Sequence, residues 1–104
     1  SQEELKRFDT RNGDTEGIVN YALSMEGIMF AALFKESDDM IKISFRSKGD
    51  FPANLVAKNY FNGGGHRNAA GGRSEVSLEA TLTKFEETLP LFKKELDDNY
   101  ANKH

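Results

Sequence analysis

This chain contains no cysteine. That excludes disulfides, thiolate metal sites and cysteine nucleophiles in one step, and it suits a reducing, cytoplasmic setting. No apolar run approaches the ~18 residues of a membrane span, and the polar N-terminus lacks the apolar core of a secretory signal. Histidine is scarce: His66 and His104 are the two, and the second is terminal. A metal site needs clustered ligands, whereas Asp38-Asp39 falls in a polar turn and Asp97-Asp98 at a helix end, neither with an obvious third ligand. No serine with a supporting acid is spaced to build a triad around His66. Acid is also missing from the middle of the chain. Between residues 42 and 74, six cations (Lys42, Arg46, Lys48, Lys58, Arg67, Arg73) face one acid, Asp50, for a balance of +5. Residues 1–41 carry −5 and residues 75–104 carry −3. The overall charge of −3 argues against a wide duplex footprint. A basic middle between acidic flanks suits a local anionic ligand instead. The chain's 104 residues make one domain, long enough to bury a core without staples. Internal repeats and low-complexity segments are absent. Beginning at Ser1 without methionine, it reads as an excised piece of a larger protein.

Taken in order, residues 1–13 are polar, with Leu5 and Phe8 as the large apolar residues, and read as a short helix or a linker. Asp14-Thr15-Glu16 resembles a helix start, and Ile18, Val19, Ala22 and Leu23 then form one apolar face of a short helix over 15–24. Residues 28–34 are apolar throughout, which predicts a strand covered on both faces. A polar turn at 36–39 makes the next strand, 40–47, return antiparallel. That strand alternates cleanly: Ile41, Ile43 and Phe45 on one face, Lys42, Ser44 and Arg46 on the other. Asp50 or Phe51 as cap and Pro52 in the first turn open a helix over 53–61, which Asn62-Gly63 stops. A third strand follows at 68–76, its small residues suited to close approach of another backbone or a ligand. Ser77 caps the last helix, where Leu78, Leu82, Phe85, Leu89, Phe92 and Leu96 form an amphipathic stripe that Pro90 should kink or divide. A frayed polar tail ends the chain. The fold class is α/β (α+β): a small mixed sheet of three to five strands with helices packed on it. The domain proper covers 14–99, after an N-terminal segment at 1–13 and before a tail at 100–104.

The stretch that organises the rest is Asn62-Gly63-Gly64-Gly65-His66-Arg67-Asn68-Ala69-Ala70-Gly71-Gly72-Arg73. Three consecutive glycines cost so much backbone entropy that a fold keeps them only where geometry demands it. Two readings stand at this point. One is a phosphate- or nucleotide-binding loop, whose amides approach an anion while His66 and Arg67 donate hydrogen bonds. The other is a tight glycine turn between a helix and a crowded strand, with His66 satisfying a carbonyl at the helix end. Because the glycines follow a helix C-terminus, a Walker or Rossmann loop is excluded. An anion held here would use loop amides and side chains, since the helix end carries the wrong dipole sign.

The run from Gly63 to Gly71 resembles the Gly-Gly-Gly-His-x-x-Ala-Ala-Gly signature of the DHH-associated domain. This is the C-terminal substrate-binding domain of DHH-family phosphoesterases. Thr15-Glu16-Gly17-Ile18-Val19, the Ser44-Phe45-Arg46-Ser47 tetrad and the helix before the glycines extend the resemblance along nearly the whole chain. Within the family it is similar to the bacterial nanoRNase and phosphoadenosine-phosphate phosphatase group, often described as exopolyphosphatase-related. The resemblance implies that an N-terminal DHH domain holds two manganese ions and hydrolyses the phosphoester, while this domain grips phosphate and base. Arg46, Gly63, Gly64, Gly65 and His66 are the implied substrate contacts, with Ser44, Ser47 and Arg67 as weaker candidates. The implied ligand is a short RNA or a nucleoside bisphosphate, and the implied partner is the DHH domain of a parent expected to be homodimeric. No Asp-His-His motif occurs in this chain, so it carries no catalytic residue or metal ligand of its own and is expected to bind without hydrolysing. A rival resemblance leads to a non-catalytic nucleic-acid-binding module, like the glycine-rich domain that ends alanyl-tRNA synthetases and contacts tRNA.

Overall fold

A computed structural model describes residues 3–12, 16–25 and 27–103, with residues 12 and 95–103 described by backbone alone. The elements are β1 (Glu3–Asn12), β2 (Glu16–Met25), β3 (Ile28–Ser37), β4 (Met40–Lys48), α1 (Ala53–Tyr60), β5 (Gly64–His66), β6 (Ala69–Ser74) and α2 (Leu78–Lys103). The strands form one sheet in the order β1-β2-β3-β4-β6-β5, every neighbouring pair antiparallel. The architecture is therefore α+β, but the sheet has six strands and is antiparallel rather than mixed.

At the N-terminal end β1 stands where a short helix or a linker was expected, and β2 where a helix was. Residues 3–12 form β1, and residues 16–25 form β2 rather than a helix over 15–24; Asp14 and Thr15 lie outside the described residues. Ile18, Val19, Ala22 and Leu23 fit a helical face, yet Val19, Tyr21 and Leu23 also alternate at period two, and these three are, with Gly17, the buried ones. Pairing decides between the patterns. β2 is bonded along its length by β1 on one side and β3 on the other, and the sheet overrides a weak local preference that Gly17 had already lowered.

The predicted β3–β4 hairpin is present. Its tight turn passes through Asp38, which takes a left-handed φ of +51°. β4 behaves as its alternation dictates, with Ile41, Ile43, Phe45 and Ser47 turned inward. β3 is covered on one face only. Phe30, Ala32 and Phe34 are buried, while Met29 and Leu33 on the second face remain 51% and 38% exposed, because both helices pack on the same side of the sheet.

That inner layer is an aromatic core. The Phe85 ring of α2 lies between 4.8 and 6.5 Å from the rings of Tyr21, Phe30, Phe34, Phe61 and Phe92. Leu82, Leu89 and Phe92 complete the stripe expected for α2, and the Leu96 side chain lies outside the described residues. Ser77 caps this helix, its Oγ accepting from the Ala80 amide at 3.1 Å. Pro90 does not divide α2: the helix continues through it, and the backbone stays helical to Lys103 where a frayed tail was expected. At the far edge Tyr21 donates its hydroxyl proton to Glu86, with Arg7 alongside. Burial, reinforced by that hydrogen bond, pushes the tyrosine pKa well above its ordinary value.

Since Phe85 touches five other rings, Phe85→Ala should lower stability by about 3–5 kcal/mol, read as a shift in the urea unfolding midpoint. An unchanged midpoint would show that the helical layer does not carry the fold.

Candidate functional site

The inner face of the sheet is occupied by core, so chemistry falls to the outer face. Residues directly opposite in an antiparallel ladder share a face. Following the register across all six strands gives the row Lys6, Ala22, Ala31, Arg46, Ala69, His66. Arg46 and His66, distant in sequence, are thus separated by the single methyl side chain of Ala69. The next row is Phe8, Asn20, Leu33, Ser44, Gly71, Gly64, which puts Ser44 beside the same place.

Arg46 is held by its own strand and the next. Nη1 donates to the Phe45 carbonyl at 2.8 Å and to the Ala70 carbonyl at 3.4 Å. No carboxylate pairs with it among the described residues, so its other N–H groups remain available to an anion. Beside it lies a groove of about 370 Å³, floored by Ala22 and Ala31 and walled by Met29, Lys48 and Asn68. Small alanines on neighbouring strands are what make the floor low.

Of the three consecutive glycines, two serve packing. A β-carbon on Gly63 would lie 1.9 Å from the Gly71 carbonyl oxygen. One on Gly65, whose φ is +142°, would lie 2.7 Å from the Ala70 α-carbon. Gly64 differs: a β-carbon there would meet nothing within 4 Å, and the residue faces the open row beside Ser44. The helix end is closed without histidine. The Phe61 and Gly63 amides both donate to the Ala57 carbonyl, each at 3.0 Å, while the exposed His66 ring makes no hydrogen bond among the described residues.

The weaker candidates separate as well. Ser47 faces the core; its Oγ donates to the Phe51 carbonyl at 2.6 Å and accepts from Asn68 Nδ2 at 2.9 Å. Arg67 turns to the 49–52 segment, donating to the Asp50 carbonyl at 3.1 Å. In return the Arg67 carbonyl accepts from the Ala53 amide at 2.7 Å, and the Asn68 carbonyl from the Ser47 amide at 3.0 Å. Ser47, Arg67 and Asn68 thus brace the loop that carries His66, while Arg46, Ser44, Gly64 and His66 face outward together. Sequence reasoning missed Ala22, Ala31 and Met29 as groove residues, and Lys6 and Lys35 as cations of the same face. Their only sequence signal was period-two alternation in β1, β2 and β3. The described residues hold no cluster of three His, Asp or Glu side chains suited to a metal ion. The surroundings of Arg46 are cationic, so they do not fit a metal centre.

The DHHA1 domain family matches residues 3–102, and the chain belongs to that family. It is 37% identical over 67 residues, 64% of its length, to the bifunctional oligoribonuclease and PAP phosphatase NrnA of Bacillus subtilis (strain 168). A crystal structure of an exopolyphosphatase-related protein from Bacteroides fragilis superposes with a TM-score of 0.61 at 44% identity, over 65% of this chain. The matches cover 21% of the first protein and 20% of the second, so this chain spans about a fifth of each.

The glycines make separate predictions. Gly63→Ala should cost at least about 2 kcal/mol in chemical denaturation, because backbone must move. Gly64→Ala should leave stability level or raise it by up to about 1 kcal/mol. Equal losses at both positions would mean that Gly64 is also fixed by packing.

Proposed function

We propose that this domain is the substrate-gripping wall of a DHH-type phosphoesterase acting on short oligoribonucleotides or nucleoside bisphosphates. The observation that carries the reading is the cross-strand row in which Arg46 and His66 flank Ala69, beside a groove with an alanine floor. Arg46 presents a planar cation to a phosphate, for which a guanidinium fork is well matched. His66 offers a ring N–H and an aromatic face to the phosphate or base, and Ser44 a hydroxyl. The open space over Gly64 lets a ligand lie against backbone. A groove of about 370 Å³ is of the size that takes a small ligand, and its apolar floor suits a base or ribose. The name of the Bacillus subtilis relative, an oligoribonuclease and PAP phosphatase, supports the same ligand class. Hydrolysis belongs in this reading to a separate DHH domain of the parent chain, where manganese would supply metal-activated water. The residues of this chain position the substrate.

The test is an amide NMR titration with 5′-phosphorylated diadenylate. Shifts should concentrate at residues 63–67 and around Arg46, and Arg46→Ala and His66→Ala should each weaken binding, the first by about tenfold or more, as expected for a lost charged hydrogen bond. Shifts confined to the helical layer, or a titration indifferent to both substitutions, would overturn the assignment.

A further inference from the structure

Four residues along β4 from Arg46, the same outer face carries a second row of charge. Lys35 is directly opposite Lys42, and Lys42 directly opposite Arg73, on three neighbouring strands. Like charges placed opposite one another on adjacent strands destabilise a sheet. Here three stand in line, and none of their side chains has an ion pair or hydrogen bond among the described residues. An ordinary solvated face mixes signs. The acids on this face, Glu4 and Glu16, lie on β1 and β2. Between the two cationic positions on β4, β6 and β5 lies the row Ser44, Gly71, Gly64, whose side chains are too small to block passage, with Leu33 as its rim on β3.

We propose that Lys35, Lys42 and Arg73 form a second phosphate subsite, which holds the continuing backbone of a single-stranded oligonucleotide whose end is gripped at Arg46 and His66. The row stands about 13 Å from Arg46 along the strand, a distance longer than the step between adjacent phosphates. A dinucleotide anchored at Arg46 therefore falls short of it, and a longer strand reaches it by crossing the Ser44, Gly71 and Gly64 row. This subsite makes affinity depend on ligand length. It rests on the reading of Arg46 and His66 as the anchoring site.

The experiment compares 5′-phosphorylated diadenylate with 5′-phosphorylated pentaadenylate by isothermal titration and NMR, on the wild-type chain and on the double variant Lys42→Gln, Arg73→Gln. The wild-type chain should bind the pentamer about tenfold more tightly than the dimer. The double variant should lose that advantage while binding the dimer as before. The slope of log affinity against log salt for the pentamer should fall in magnitude by about 1.4, the loss expected for two phosphate contacts on a single strand. The melting temperature of the variant should be unchanged or higher, since like-charge repulsion has been relieved, whereas a merely structural role would lower it. Dimer binding through Arg46 and His66 with no gain for the pentamer would overturn this proposal alone. An equal loss for both ligands would overturn it in favour of diffuse attraction. Failure of both ligands to shift any amide near Arg46 would overturn the anchoring site and the subsite together.

Discussion

The outer face depends on a close approach between two stretches of backbone. The segment leaving α1 passes so near to β6 that Gly63 has no room for a side chain, and a β-carbon on Gly72 would lie 2.6 Å from the Phe61 carbonyl oxygen. That carbonyl accepts from the Arg73 amide at 2.9 Å, which stitches the helix end to the strand. Only with this approach can residues 64–66 join the sheet as a sixth strand, and only as a strand does His66 come into line with Arg46. The glycines therefore serve the outer face mainly at one remove. Their job is to let a histidine be delivered to a row that an arginine on β4 already occupies.

The two faces of the sheet divide the work of the fold. The inner one is aromatic and closed, with rings from β2, β3, β4 and α2 in contact, and hydrophobic burial there supplies the stability. The outer one holds cations in register and exposed apolar side chains such as Met29, an arrangement that lowers stability. A strongly bonded antiparallel sheet can tolerate that expense because its core does not depend on the outer side chains. Arg46 and Ser47 show the division at the scale of adjacent residues. One points to the groove, while the other spends its hydroxyl on the Phe51 carbonyl within the core.

Legibility in the sequence followed the strength of the local pattern. β4 and the stripe of α2 carried one unambiguous period each and stood where their residues put them; α1 lies between Pro52 and Gly63 as expected, but its cap is Pro52 rather than Asp50 or Phe51. β2 did not, because Ile18, Val19, Ala22 and Leu23 satisfy a helix while Val19, Tyr21 and Leu23 satisfy a strand, and pairing with β1 and β3 lies beyond any local window. β1 offered Leu5 and Phe8, too few apolar residues to declare itself. For the site, His66 could be singled out by its chemistry beside the glycines, and Arg46 and Ser44 only through the family resemblance. That Ser47 turns inward follows from the same alternation that turns Arg46 outward, and the peptide motif obscured it. The alanine floor could not be read at all, since Ala22 and Ala31 acquire meaning only through the register that sets them next to Arg46.

The cations of the outer face belong to a chain of net charge −3. On α2, in the other layer, Glu79, Glu86 and Glu87 are balanced by Lys84, Lys93 and Lys94. Excess positive charge is thus confined to one side of the sheet, which makes the field around the domain uneven. Such a field turns an approaching anion toward that side before any contact is made. Encounter becomes oriented, faster at low ionic strength and slower as salt screens the field over about 8 Å at physiological concentration. The placement of charge thus acts on how fast an anion arrives at the domain, which is distinct from how tightly any anion is held.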